Sequence, residues 1–192
     1  MKCLTEPASF ENTVKRSRFI ALAARIEDEN ALGAWLDQQR DPSANHHCWA
    51  WRSGPLYRFD DDGEPGGTAG RPILQAIEGQ DFEHTAVVVI RHFGGVKLGT
   101  GGLIRAYGGT AAECLRQAAS EPLVTFCDYQ CRLPFDCLGL AWQIIDRYPV
   151  EQVDSDFDAG GVILTLRLPA SSRQGIHQEL VDASRGRLQT SD

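Results

Sequence analysis

The stretch Thr85-Ala86-Val87-Val88-Val89-Ile90-Arg91-His92-Phe93-Gly94-Gly95-Val96-Lys97-Leu98-Gly99-Thr100-Gly101-Gly102-Leu103-Ile104-Arg105 decides the fold. Its unbroken, largely β-branched run from Ala86 to Ile90 has the pattern of a strand buried on both faces, hence a central one. A glycine-rich loop follows. Ile104, Tyr107, Ala111, Leu115 and Ala118 then recur on one helical stripe that stops at Glu121-Pro122. A strand, a glycine turn and a helix start in succession aim backbone N–H groups at an anion, with the helix dipole in support. Two named phosphate loops do not fit. A Walker loop from Gly94 needs Lys at 100, where Thr stands, and a dinucleotide loop from Gly99 meets Ile104 where its third glycine belongs. The simpler alternative is that these glycines allow close helix–sheet packing, with the arginines solvated.

Upstream, Arg18 to Ile26 alternates as a strand with Ile20, Leu22, Ala24 and Ile26 on one face, and Phe10 to Val14 is its extended neighbour. Ala31, Leu32, Trp35 and Leu36 fall at helical spacing behind an Asp28 cap. His46 to Arg52 alternates again, Trp49 and Trp51 on one face, and pairs with Leu56 to Phe59 through Ser53-Gly54-Pro55. A short helix carries Pro72 in its first turn and ends near Gly79. Downstream, residues 124–192 form a second unit. Its predicted order is strand (Val124 to Leu133), helix (Cys137 to Tyr148), strand (Val150 to Phe157), strand (Val162 to Leu168), helix (Arg173 to Ser184) and a last strand over 187–190. That is βαββαβ, the ferredoxin-like order. The expected class is therefore α+β, with domains at 1–123 and 124–192.

The length, 192 residues, accommodates two small domains, and 42% hydrophobic with 23% charged residues is a globular composition. No apolar run is long enough to span a membrane, and the N-terminus meets Glu6-Pro7 before any hydrophobic stretch, unlike a signal peptide. A cytoplasmic location is expected. The six cysteines lack zinc-knuckle spacing, and in a reducing compartment they are expected to be small buried hydrophobes. The net charge of −7 makes bulk nucleic-acid binding unobvious. The distribution says more. No acid lies between Glu83 and Glu113, a gap holding Arg91, Lys97, Arg105 and seven of the 19 glycines.

The first candidate site is an anion or partner site of Arg91, Gly94, Gly95, Lys97, Gly99, Gly101, Gly102 and Arg105. The second is the loop Asp60-Asp61-Asp62-Gly63-Glu64-Pro65-Gly66-Gly67-Thr68-Ala69-Gly70-Arg71, where Asp61, Asp62 and Glu64, with Thr68 and Arg71, could hold a divalent cation through oxygen ligands. Its spacing is not that of an EF-hand. The simpler reading is that its acids cap helices or pair with Arg58, Arg71 or the basic strip. The third, His46-His47-Cys48, puts only His46 and Cys48 on one strand face and lacks a second ligand cluster, so a structural role is expected. Ser17 and Ser53 have no base nearby in sequence, and no hydrolase elbow occurs. No cofactor and no bound metal are called for.

Several of these segments, taken together, resemble the IMPACT/YigZ family: Lys15-Arg16-Ser17-Arg18-Phe19-Ile20, His46-His47-Cys48-Trp49-Ala50, Asp61-Asp62-Gly63-Glu64-Pro65 with Thr68-Ala69-Gly70, and above all Val88 through Leu103 with Arg105-Ala106-Tyr107. The resemblance covers about residues 15 to 120. It implies an N-terminal α/β sandwich like the second domain of a small-subunit ribosomal protein and a C-terminal ferredoxin-like domain as in elongation factor G. It also implies a link to translation, since eukaryotic members restrain the amino-acid-starvation kinase by competing for its activator. Two functional readings follow. In the first, a non-enzymatic protein in translation regulation and stress response binds RNA, the ribosome or an acidic translation-associated protein through the basic glycine-rich strip. In the second, an enzyme binds a nucleotide or phosphate ligand beside a cation on the Asp/Glu loop, which requires the two loops to be neighbours in space.

Overall fold

The computed structural model describes residues 1–190 and divides into two compact units, Met1–Leu123 and Val124–Asp192. In the first unit the elements run β1 (Lys2–Leu4), β2 (Ala8–Val14), β3 (Ser17–Arg25), α1 (Glu29–Gln38), β4 (His46–Ser53), β5 (Leu56–Asp60), α2 (Gly70–Gly79), β6 (Thr85–His92), α3 (Thr100–Gln117) and β7 (Ser120–Pro122). The main sheet has the order β2-β3-β6-β4-β5 and is antiparallel throughout, so the apolar β6 is its central strand. Its side chains feed two cores. Val87 and Val89, with Phe19, Ala21 and Ala23 of β3 and Cys48 and Ala50 of β4, face α2 and α3. Ala86, Ala24 and Trp51 face α1 through Leu32. Trp51 is buried and donates its indole N–H to the Ile26 carbonyl at 2.8 Å, so no polar group is stranded there. Asp28 caps α1 by accepting from the Ala31 N–H at 2.9 Å.

Two packing details differ from the sequence reading. Ile20 and Leu22 of β3 are only half buried, while Phe19, Ala21 and Ala23 on the opposite face fill the main core, because two helices cover that side. The buried stripe of α3 is Leu103, Ala106, Tyr107, Thr110, Ala111, Cys114 and Leu115, which leaves Ile104 43% exposed. The helix also ends at Gln117, because residues 120–122 pair with residues 2–4 as a small second sheet that no alternation pattern announces.

The second unit runs β8 (Phe126–Leu133), α4 (Leu138–Ile145), β9 (Gln152–Asp158), β10 (Gly161–Pro169), α5 (Arg173–Ala183) and β11 (Gln189–Thr190). Strand order β11-β8-β10-β9 with both connections helical is the ferredoxin-like arrangement. Its core comes from alternate residues of β8 and β10 (Tyr129, Cys131, Leu133; Val162, Leu164, Leu166, Leu168) against Ile144, Ile176 and Leu180. All six cysteines are free, five of them buried. Among the described residues no helix is long and apolar enough to cross a membrane.

Candidate anion-binding site

Register places the site. In β6 the odd positions Val87, Val89 and Arg91 point to the helical side, and Arg91 pairs across to Phe19 on one side and His46 on the other. Arg91 is therefore drawn inward at the end of the sheet, with only 5% of its surface exposed. This corrects the expectation of a solvent-facing cation at 91. Its Nη1 donates to Glu64 Oε1 at 2.5 Å, its Nη2 reaches Ser17 Oγ at 3.4 Å, and the guanidinium lies between the rings of Phe19 and Phe93. Tyr107 of α3 donates its hydroxyl to the same Glu64 oxygen at 2.7 Å. Burial, followed by the neighbouring Cys48 and Glu64, pushes the Tyr107 hydroxyl pKa up, so it stays a donor. Arg91 Nε is left buried with no hydrogen-bond partner among the described residues.

The acidic loop is thus beside the glycine loop, as the pairing of Glu64 with Arg91 requires. Its carboxylates do separate jobs. Asp60 accepts from the Asp62 N–H, Asp62 accepts from the His47 N–H, and Asp61 accepts from the N–H groups of Gly67, Ala69 and Gly70 at 2.7–2.9 Å. Burial raises the Asp61 pKa, but those three amides outweigh it and hold the carboxyl below the usual aspartate range. Among the described residues no three His, Cys, Asp or Glu side chains converge as metal ligands. Asp61, Asp62 and Glu64 point to three different partners, which removes the geometric basis for the cation reading. Thr68 is buried and donates to the Pro65 carbonyl, closing the turn, while Arg71 is exposed at the start of α2.

His46 and Cys48 share the inner face, as alternation predicts. His46 Nδ1 lies 2.7 Å from the Asp62 carbonyl; a carbonyl only accepts, so that nitrogen carries the proton and Nε2 is left 3.9 Å from Glu64 Oε1. Cys48 donates to the Asp61 carbonyl at 3.0 Å, and burial above all pushes its thiol up to about 12. It is a packing group, not a nucleophile.

Between the two loops lies a cleft of about 480 Å³, lined by Asn45, His46, Glu64, Pro65, Arg91 and Phe93 on one side and Lys97, Leu98, Gly99, Thr100 and Leu103 on the other. The start of α3 forms its wall. Gly99 is the N-cap at φ 74°, a value only glycine takes freely, and it brings no side chain to the first amides; the first turn holds no acid. Lys97 is exposed at this end, and a methyl on Gly101 would lie 3.6 Å from Arg105 Nη1, so Arg105 folds back over the same turn. Neither has an ion-pair partner among the described residues. Gly94 is dictated by space: a methyl there would sit 2.0 Å from the Arg16 carbonyl oxygen. Gly95 and Gly101 are exposed and Gly102 half-buried.

Asn45, Phe93 and Tyr107 belong to the site and sequence reading did not place them there. Asn45 accepts from the Phe93 N–H at 2.7 Å and so fixes the loop entrance, with no pattern in the sequence to announce it. Tyr107 did carry a signal: a tyrosine on a core stripe needs a polar partner inside.

Comparison with known proteins adds the relationship. Residues 15–115, which contain every residue of the cleft, match the Impact N-terminal domain. The chain is 45% identical over 176 residues to an IMPACT family member of Thermus thermophilus, covering 91% of this chain and 97% of that one. It is 35% identical over 190 residues to the IMPACT family member YigZ of Escherichia coli, covering 95% and 93%. A crystal structure of a hypothetical protein superposes with a TM-score of 0.65 at 33% identity, over 98% of this chain and 95% of that one. With a matching domain over more than half its length and relatives that align nearly end to end, the chain belongs to the IMPACT family.

Proposed function

We propose that the chain is a non-enzymatic binding protein that acts in the regulation of translation by holding single-stranded RNA, one phosphate seated at the start of α3. The translation setting, and with it a part in the stress response, is what family membership implies. The observation that carries the reading is the uncompensated positive end of α3. Its amides lack a capping side chain and an acid, and it opens into the cleft beside Lys97 with Arg105 over the same turn. Among the described residues neither cation has an ion-pair partner and the buried Arg91 Nε has no hydrogen-bond partner. A phosphate satisfies such an end through N–H donors and charge. RNA is favoured over an acidic protein because the cleft also offers an exposed aromatic face, Phe93 at 46%, on which a base can stack next to the phosphate. In the second unit, by contrast, Arg132, Arg147, Arg167 and Arg187 are each held by an acid.

The test is binding of a short single-stranded polyuridine against salt. Each phosphate neutralised on a single strand adds about 0.7 to the log–log slope, so Lys97→Ala with Arg105→Ala should reduce its magnitude by about 1.4. An acidic peptide binding more tightly than the RNA, or a slope unaltered by the two substitutions, contradicts the reading.

A further inference from the structure

We infer that the β2–β3 hairpin tip, Lys15-Arg16, is a second phosphate-contacting element of the same surface, so that bound RNA runs from the start of α3 across the hairpin; this rests on the reading above. Val14 pairs with Ser17, so the turn has two residues, and both have positive φ, 44° for Lys15 and 69° for Arg16. Two-residue turns of this hand favour Asn-Gly, because side chains with a full Cβ are strained in the left-handed region. Here long cationic residues occupy both positions. Both are exposed and, among the described residues, neither has an ion-pair or hydrogen-bond partner from its side chain, so nothing inside the molecule accounts for them. Strain kept at a chemically distinctive pair marks a functional position.

The tip is also fixed relative to the cleft. The Arg16 carbonyl packs against Gly94 so closely that no side chain fits there. Ser17, the next residue and fully buried, accepts from the Gly94 N–H at 3.2 Å and lies within reach of Arg91. The hairpin and the glycine loop therefore form one rigid edge carrying Lys15, Arg16 and Lys97. A flexible polyanion is the partner that several separated cations on such an edge can meet at once, since its phosphates repeat along the chain.

The experiment uses the full chain, the polyuridine probe and salt from about 50 to about 200 mM. Four cations in contact predict a wild-type slope near −2.8, against about −1.4 for Lys97 and Arg105 alone. Lys15→Asn with Arg16→Gly installs the preferred turn and removes both charges: it should unfold at a higher temperature than wild type yet show a slope near −1.4. Lys15→Gln with Arg16→Gln keeps the turn strained and should show the same reduced slope. Wild-type binding with a slope that neither double variant alters overturns the hairpin's role and leaves the α3 site standing. A wild type that shows no salt-dependent binding at all overturns both.

Discussion

The two helices on the main-core face of the sheet, α2 and α3, begin in opposite ways. At the start of α2 the protein supplies its own anion: Asp61 accepts from Gly67, Ala69 and Gly70, so the cap amide and the first helical amide of that end are satisfied from within the loop. At the start of α3, Gly99 brings no side chain, the first turn holds no acid, and two cations stand beside it. The same physics, free N–H groups at a positive dipole end, is thus met by an internal carboxylate in one place and by none in the other. A filled end of this kind contributes to stability, whereas the open end facing the cleft is the one to which the proposed function assigns an external anion. The Arg91–Glu64 pair lies between them and joins the acidic loop that fills α2 to the glycine loop that leaves α3 open.

That junction should be the costliest to disturb. Glu64→Ala leaves the Arg91 charge buried and uncompensated and removes the acceptor of Tyr107; a loss of about 3–5 kcal/mol in urea unfolding is expected. Replacing the pair together, Glu64→Leu with Arg91→Met, should recover most of it, since the desolvation of both ions disappears. Equal losses in the single and double variants would mean that the pair is not the source of the effect. Opening the closed helix end is a smaller change. Asp61→Ala should cost about 0.5–2 kcal/mol at neutral pH, the range for a lost capping carboxylate. The pH dependence follows from the direction of its pKa. The folded value lies below the unfolded one, so the contribution is present above the usual aspartate pKa and is lost as pH falls through the folded value. Unfolding curves of wild type and Asp61→Ala should therefore differ fully at pH 7, begin to converge below about 4 and meet only once the pH is below the folded value; a gap that persists unchanged through the acid range argues that the carboxylate charge is not what holds the turn.

Much of this was legible in the sequence because periodicity and turn chemistry report on local structure. The apolar run Ala86 to Ile90 identified the central strand, and the strand–glycine–helix order located the open end of α3. The ferredoxin-like order of the second unit followed from its succession of strand and helix segments and a glycine turn. What was not legible depended on partners distant in sequence. Whether Arg91 faced solvent or an acid turned on strand parity and on Glu64, 27 residues away. The simpler reading of the acidic loop, acids that cap helices or pair with bases, did not say which acid does which, and only the fold sets Asp61 against three amides. The pairing of residues 2–4 with 120–122 has no local signature, and Asn45 acts through one hydrogen bond that no pattern encodes. The acids of the loop carried the right chemistry, but the distribution of their roles belonged to the fold.

The central claim, that the start of α3 is kept open for an external anion, has a direct test in Thr100→Asp, which gives this helix end a carboxylate, as Asp61 gives one to the start of α2. The expected result is a fold stabilised by about 0.3–1 kcal/mol, together with polyuridine binding weakened by about tenfold. A Thr100→Asp protein that binds the RNA as tightly as wild type would contradict the claim.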